Sequence, residues 1–419
     1  MNLLIAASTF PRWADDEQSD FVWKQALAFK RRYPHLHITI LAPHDRGSAL
    51  EEEWEGIKIH RFRYFCPASL QKLVYPSILP NIQNKPILLL QIPLLLICEL
   101  FATLFLIQKY KINLVYSHWF VPQGLACGIA AWIRGVPHVL TSHSSDITVM
   151  NKLPLLGRII VRTMIGKAKA VTVVSQRGLS NLQSFFNEAQ QQALEKKVKV
   201  IPMGVDEADF STPSVETDSF KQELGLTGKR VLLFMGRLVE KKGIDLLIEA
   251  FLNINKEFKD TELVIAGAGH LEASLKRKVA NLKLTDKVTF PGHVRGETKV
   301  RLLRAASLVA APSVITSGGD LEGLPVVVLE ALAAGKICVA SEVSGAPEII
   351  TNDISGILFS SNDSEVLEKS LRKALLLSDD QQNQMSCHAK AVAQPFFWSN
   401  VIKGHYSHLL AFDSVEGEN

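Results

Sequence analysis

The run "EGLPVVVLEALAAG" (residues 322–335), followed at once by "KICVASEV" (336–343), reads as a short apolar helix feeding an apolar strand. Pro325 stands where the first helical residue belongs, a position that tolerates a missing N–H, and Gly335 closes the helix. A helix apolar on all sides is normally buried. Glu330 therefore needs a partner, because a lone buried carboxylate costs several kcal/mol or takes up a proton. Either a cation of the protein meets it or a ligand does.

Outward from this unit the same alternation repeats. In the first half, strand-like runs fall at 2–8, 37–43, 57–62, 114–118, 138–143, 170–175 and 198–205, with helical patterns between them such as 20–32 and 122–135. In the second half they fall at 230–237, 262–269, 287–294, 307–314, 336–343 and 355–361. Strands that alternate with helices imply parallel sheets covered on both faces. The polar stretch 206–229 reads as a linker and entry helix. At 419 residues the chain is too long for one ordinary core. The expectation is an α/β protein of two Rossmann-like doubly wound domains, the first over 1–203 and the second over 204–395. Such sheets bind ligands at the carboxyl ends of their strands, and two such edges can face each other across a cleft. His118, His143, Arg237, Gly269, Val294 and Glu322 all follow strand ends.

Hydrophobic residues at 47% and charged residues at 21% describe a globular protein. Five scattered cysteines without CxxC spacing read as reduced core thiols and point to the cytoplasm. "MNLLIAAS" lacks a basic start and a long apolar region, so no secretory signal is expected. The net charge of +4 hides an asymmetry: residues 1–203 carry 23 Lys/Arg against 13 Asp/Glu, and residues 204–419 carry 23 against 29. A basic first half suits an anionic membrane surface. Nucleic acid is not expected, since no dense basic run interleaves with aromatics. The apolar stretch 86–107 is long enough to span a bilayer, but Gln91, Pro93, Glu99 and Thr103 interrupt it and strand-like runs flank it. A helix packed in the first domain, or one partly resting on a bilayer, is expected instead.

"FMGRLVEKKGIDLLIEA" (234–250) ends a strand at Gly236 and places Arg237 and Lys242 in the turn before a helix near Ile244. Two cations beside helix-start amides suit a diphosphate, whose charge grows as it leaves. The first-turn amides after Pro325 form a second anion site on the same edge. Glu330, roughly 7–8 Å further along, can accept two hydrogen bonds from a ribose diol, and Glu322 in the preceding loop can meet a sugar's hydroxyls. An ion-paired structural role is the alternative for Glu330. "TSHSSDI" (141–147) sets His143 and Asp146 after a strand, and "YSHWFVPQG" (116–124) sets His118 and Trp119 at another, suited to an acceptor or to core packing. GxxxxGK[ST], a GxGxxG after the first strand, GxSxG and HExxH are all absent, which removes P-loop nucleotidases, dehydrogenases, serine hydrolases and zincins.

These segments together resemble the retaining, sugar-nucleotide-dependent glycosyltransferases of GT-B fold and GT4 class. The resemblance is densest over 231–345, where the Glu322/Glu330 pair, "GRLVEKKGIDLLIEA" and "GHV" (292–294) carry it. "STFPRWADDEQSDFV" (8–22), "HWFVPQG" and "HSSD" resemble first-domain segments, and "PFFWSNVIKGHYSHLL" resembles a last helix crossing back to the first domain, here 396–419. It implies a hexosyltransferase moving sugar from a nucleoside-diphosphate sugar to a glycan or lipid-linked acceptor in cell-surface polysaccharide or glycolipid synthesis. The implied catalytic residues are Arg237, Lys242, Glu322 and His143. The donor would be held by Gly236, Arg237, Lys242, Val294, Glu322, Gly323, Leu324 and Glu330, and the acceptor side formed by His118, Trp119 and Asp146. No obligatory metal or cofactor is implied, and the retaining path has a donor phosphate oxygen take the acceptor's proton. Two departures, Ser8-Thr9 in place of a Gly-rich loop and His143-Ser144-Ser145-Asp146 in place of His-Gly before the acid, lie in the acceptor half. The scattered cysteines, the basic first half and residues 86–107 together give the expected location, the cytoplasm at the membrane's cytoplasmic face, with peripheral contact to anionic lipid. A sugar-nucleotide epimerase or phosphorylase on the same fold, and a non-catalytic sugar-nucleotide binder, are the competing expectations. Acceptor-independent donor conversion would favour the first, and tight donor binding without turnover the second.

Overall fold

The structure, a computed structural model, describes residues 1–410 except 15, 17–19, 144, 212–216, 317–321 and 361. Parts of the expected linker, of the 8–22 segment and of "HSSD", and the tail beyond residue 410, lie outside the described residues. The chain divides into two units, Met1–Gly204 joined by the stretch from Trp398 onward, and Val205–Phe397.

The first unit is built on eight strands: β1 (Asn2–Ala6), β2 (His37–Pro43), β3 (Glu51–Trp54), β4 (Ile57–Phe62), β5 (Leu114–His118), β6 (His138–Ser142), β7 (Ala170–Val173) and β8 (Val198–Val200). Their order is β3-β4-β2-β1-β5-β6-β7-β8, parallel except for β3 against β4. Alternate residues of one strand enter different cores. Leu3 and Ile5 pack with Val22, Ala26 and Phe29 of the Phe21–Arg32 helix and with Ile402 of the Trp398–His405 helix. Leu4 and Ala6 pack with Leu95 and Leu106 of the Ile92–Tyr110 helix and Cys127 and Ala131 of the Leu125–Arg134 helix. Burial on both faces explains why these strands read as continuous apolar runs.

β3 is absent from the sequence reading because "EEEW" carries three carboxylates. It is an edge strand, where charge blocks pairing with other chains, and Glu55 and Gly56, both at positive φ, turn it into β4. The stretch from residue 86 forms a 3-10 turn (Pro86–Gln91) and the Ile92–Tyr110 helix, which lies on the sheet through Leu95, Glu99, Thr103, Leu106 and Ile107. The cysteines are all free, but only Cys127 and Cys338 are buried, and Cys66 and Cys387 are exposed, which corrects the expectation of core thiols.

The second unit has six parallel strands, β9 (Arg230–Met235), β10 (Thr261–Ala266), β11 (Val288–Gly292), β12 (Leu308–Ala311), β13 (Ile337–Ser341) and β14 (Ile357–Phe359), in the order β11-β10-β9-β12-β13-β14. Val231 and Leu233 face one core and Leu232 and Phe234 the other. In each unit the order reverses beside the first strand, between β1 and β5 and between β9 and β12. The reversal leaves a crevice at the carboxyl end, the usual ligand position of such sheets.

Candidate active site

In the second unit the expected donor residues gather at the β9/β12 crevice. β9 ends at Met235, and the Gly236 amide donates to Ala266 O at 3.0 Å. Arg237 follows, exposed, with no ion pair among the described residues. The chain then makes a short 3-10 turn, Glu240–Lys242, and enters the Ile244–Glu257 helix through Gly243. Gly243 has φ +64°, and a Cβ there would lie 1.8 Å from Pro312 O, so only glycine lets this turn close on the loop after β12. The turn lays the Lys242 side chain over Gly236. Lys242 Nζ lies 3.1 Å from Glu322 Oε2, and both side chains are largely buried. Burial alone would raise the Glu322 carboxyl. The nearby positive charges of Lys242, Lys241 and Arg237 outweigh it, so the group is held below the ordinary carboxylate range and stays charged. Among the described residues, Glu322 Oε2 nonetheless has no well-aligned hydrogen bond.

The loop of Glu322, Gly323 and Leu324 is pinned by the Gly345 amide, which donates to Gly323 O at 2.6 Å. The helix starts one residue later than expected, at Val326, with Pro325 in extended conformation as its N-cap. Of its first-turn amides, that of Val328 donates to Pro325 O at 3.0 Å, and those of Val326 and Val327 have no intrahelical acceptor. Glu330 lies on this helix, and its partner is a protein cation: Lys299 Nζ meets Glu330 Oε1 at 2.7 Å, with 21% and 13% of the two side chains exposed. Lys299 belongs to the Gly296–Ala305 helix, which begins just after Val294, and Val294 packs half-buried on the core beside Leu324. Of the two partners expected for Glu330, a cation of the protein is present: a lysine 31 residues away in sequence. Among the described residues no hydrogen bond to the second oxygen of Glu330 is seen.

In the first unit, His118, Trp119 and His143 converge at the β1/β5 crevice. His118 Nδ1 and His143 Nε2 share a hydrogen bond of 2.9 Å, and the rings stack 5.2 Å apart. Phe21 and Trp119 pack on His143 at 5.0 and 4.7 Å between centroids. Burial holds His143 down to about 3 and His118 well below its ordinary value, so both rings are neutral at physiological pH. Trp119 sits at φ 67°, ψ 146°, a conformation costing on the order of 1–3 kcal/mol for a residue with a side chain. Asp146 holds this bend in place. Its Oδ2 accepts from the Phe120 amide at 2.9 Å and its Oδ1 from Ser142 Oγ at 2.8 Å.

Of the acceptor-side residues, two take the core-packing alternative in this structure. His118 is fully buried and Asp146 nearly so, with hydrogen bonds made inside the protein. They position Trp119 and His143, and of this group only those two retain exposed surface. Lys299 and Phe21 are the residues that sequence reasoning missed.

Residues 216–392 match the family described as Glycosyl transferases group 1, and residues 26–209 match Glycosyltransferase Family 4. An uncharacterized glycosyltransferase of Methanocaldococcus jannaschii is 32% identical over 70% of this chain and 74% of its own. A GDP-mannose-dependent monoacylated alpha-(1-6)-phosphatidylinositol monomannoside mannosyltransferase of Corynebacterium glutamicum is 28% identical over 64% of this chain and 69% of its own. Among solved structures, Anabaena HepE in complex with UDP-glucose superposes with a TM-score of 0.69 over 98% of this chain and 99% of its own, at 18% identity, a likeness of fold.

Proposed function

We propose that this chain, which belongs to the GT-B, GT4-like glycosyltransferases, is a retaining hexosyltransferase acting from a nucleoside-diphosphate sugar on a glycan or lipid-linked acceptor. The observation that carries the reading is the crevice of the second unit. An exposed arginine, a lysine held against Glu322, the first amides of a helix and the anchored Glu330 all lie at one sheet edge. Arg237, Lys242 and the first-turn amides would hold the diphosphate and stabilise its growing charge as the sugar leaves. Glu322, kept ionised by the same cations, would accept from the donor sugar's hydroxyls, and Glu330 from the ribose. The main chain of Val294 would meet the base. In the first unit, His143 would offer a neutral ring nitrogen, oriented by His118, to a sugar hydroxyl.

Among these residues the one carboxylate suited to the sugar is Glu322, and a carboxylate held charged against a lysine is a poor general base. That supports a path in which a donor phosphate oxygen takes the acceptor's proton while the new bond forms on the face the diphosphate leaves. No metal has a part in the proposal. Relatives named for amylovoran, colanic acid and phosphatidylinositol mannoside synthesis support a role in polysaccharide or glycolipid synthesis, and the cytoplasm, where sugar nucleotides are at hand, is the location we propose.

The test is a panel of UDP-, GDP- and ADP-sugars scored by thermal shift and then by donor turnover. A cognate donor at about 100 times its Kd adds about 2.7 kcal/mol of stability, a plain rise in Tm. NMR of the product's anomeric proton decides retention. Binding of no sugar nucleotide, or an inverted product, would overturn the proposal.

A further inference from the structure

The Ile92–Tyr110 helix and the turn before it are inside out. The stripe facing the sheet includes Gln91, Glu99 and Thr103, all buried, whereas Ile87, Leu90, Leu94, Ile97, Phe101 and Phe105 are exposed at spacings of three and four residues. Glu99 is fully buried, receives hydrogen bonds from Gln123 at 3.1 and 3.4 Å, and is pushed up to about 8 by burial against the pull of those bonds. A helix in water buries the opposite stripe. This helix behaves as one whose outer solvent is hydrocarbon, where polar groups turn inward to protein partners.

The helix is long and apolar enough to cross a bilayer, yet its inner stripe packs on β2, β4 and the Leu125–Arg134 helix and it leads directly into β5. It lies on the domain. On the same face of the sheet stand the Leu125–Arg134 helix and the Pro154–Lys167 helix, packed side by side. These add exposed Ile133, Leu153, Leu155, Leu156 and Ile159. Crossover helices run antiparallel to their strands, so the starts of the first and third helices lie at the carboxyl edge of the sheet, the edge of His118, Trp119 and His143.

Charge identifies what covers this face. Between residues 56 and 187 there are 14 Lys and Arg against 2 Asp and Glu, and those two, Glu99 and Asp146, are both buried. Lys85, Arg134, Lys152, Arg158 and Lys167 are exposed on or beside these helices. At the far end the edge strand β3 carries Glu51, Glu52 and Glu53, of which Glu51 is paired with Lys109 and Glu52 with Arg61. A second copy seated face to face would set cation against cation. An anionic bilayer satisfies both the apolar stripe and the charge.

We infer that the outer face formed by residues 86–110 and 153–159 docks on an anionic lipid bilayer, lying in its interface and setting the first unit's carboxyl edge beside the headgroups. The inference rests on no step of the reaction, so vesicle binding and donor turnover fail independently.

The experiment is flotation of the full chain with vesicles of phosphatidylcholine alone and of phosphatidylcholine with phosphatidylglycerol in equal parts, at low and high salt. The variant is L90Q/F101Q/L155Q, at side chains 69%, 64% and 77% exposed. Their exposure keeps the fold intact, which an unchanged Tm and unchanged donor hydrolysis verify. The wild type should partition at least about tenfold better onto the anionic vesicles, less so at high salt, and the triple variant should lose at least about tenfold at either salt. Absence of wild-type binding to anionic vesicles at low salt overturns the inference. So does a variant that binds like wild type, or a lipid-free dimer that the same substitutions dissociate.

Discussion

Lys299 holds Glu330, and Lys299→Met tests what that contact is worth. At 2.7 Å, two unit charges in an effective dielectric of about 20 attract by about 6 kcal/mol, most of it offset by the desolvation of both groups. Breaking a fully buried pair costs about 3–5 kcal/mol because one charge is left without a partner. Here 13% of Glu330 and 21% of Lys299 remain exposed, so water relieves part of the loss and about 2 kcal/mol is expected, or roughly 4–8 °C in Tm for a unit of this size. Glu330→Gln removes the charge that needs the lysine, so K299M/E330Q should recover most of that stability. Donor affinity should behave differently. Loosening Glu330 in K299M weakens its hold on the ribose by about tenfold in Kd, about 1.4 kcal/mol, and the double variant should recover none of it. Differential scanning fluorimetry and calorimetric titration with nucleoside diphosphate read the two quantities on the same samples. A coupling energy in stability under about 0.5 kcal/mol would show the pair to be an exposed contact of no consequence. Recovery of donor affinity in the double variant would remove Glu330 from the ribose site.

Arg237 is exposed and has no ion pair among the described residues, so Arg237→Ala should leave Tm unchanged while lowering kcat/KM with the cognate donor by about 10²-fold or more, and a loss of only a fewfold would remove it from the leaving-group site. Glu99 is raised from 4.5 in the unfolded chain to about 8 in the fold, so the folded state holds a proton that the unfolded state releases between those values. Wild type should therefore lose roughly 1.4 kcal/mol per pH unit relative to Glu99→Gln as pH rises through that window, with no difference below it. Parallel Tm curves from pH 5 to pH 8 would contradict this. Asp146→Ala strips both hydrogen bonds that hold the bend at Phe120 and Ser142, and should cost about 2–4 kcal/mol in urea unfolding. The same variant should disturb tryptophan fluorescence through Trp119, and an unchanged spectrum with wild-type stability would deny Asp146 its positioning role.

The legibility of this chain follows from which contacts are local. Strands buried on both faces announce themselves as apolar runs, and the residue after each run falls at the carboxyl edge by construction. Arg237, Lys242, Glu322, His118 and His143 could therefore be found without coordinates. β3 hides because an edge strand needs charge more than it needs an apolar face. Lys299 hides for a different reason: it reaches Glu330 through the packing of two helices separated by β12, and nothing in "GETKVRLLRA" distinguishes it from a solvated lysine. His118 and Asp146 show the converse, since position at a strand end does not reveal whether a polar atom faces outward or is engaged by a neighbouring amide. The stretch from residue 86 is the sharpest case. Composition shows its polar residues only as interruptions, yet Glu99 and Thr103 lie one turn apart and Gln91 about two turns before them. That spacing puts all three toward one side and leaves the other side wholly apolar. A helix so divided in a sheet protein has its polar side available to Gln123 and Cys127 inside, and its other side needs a solvent other than water.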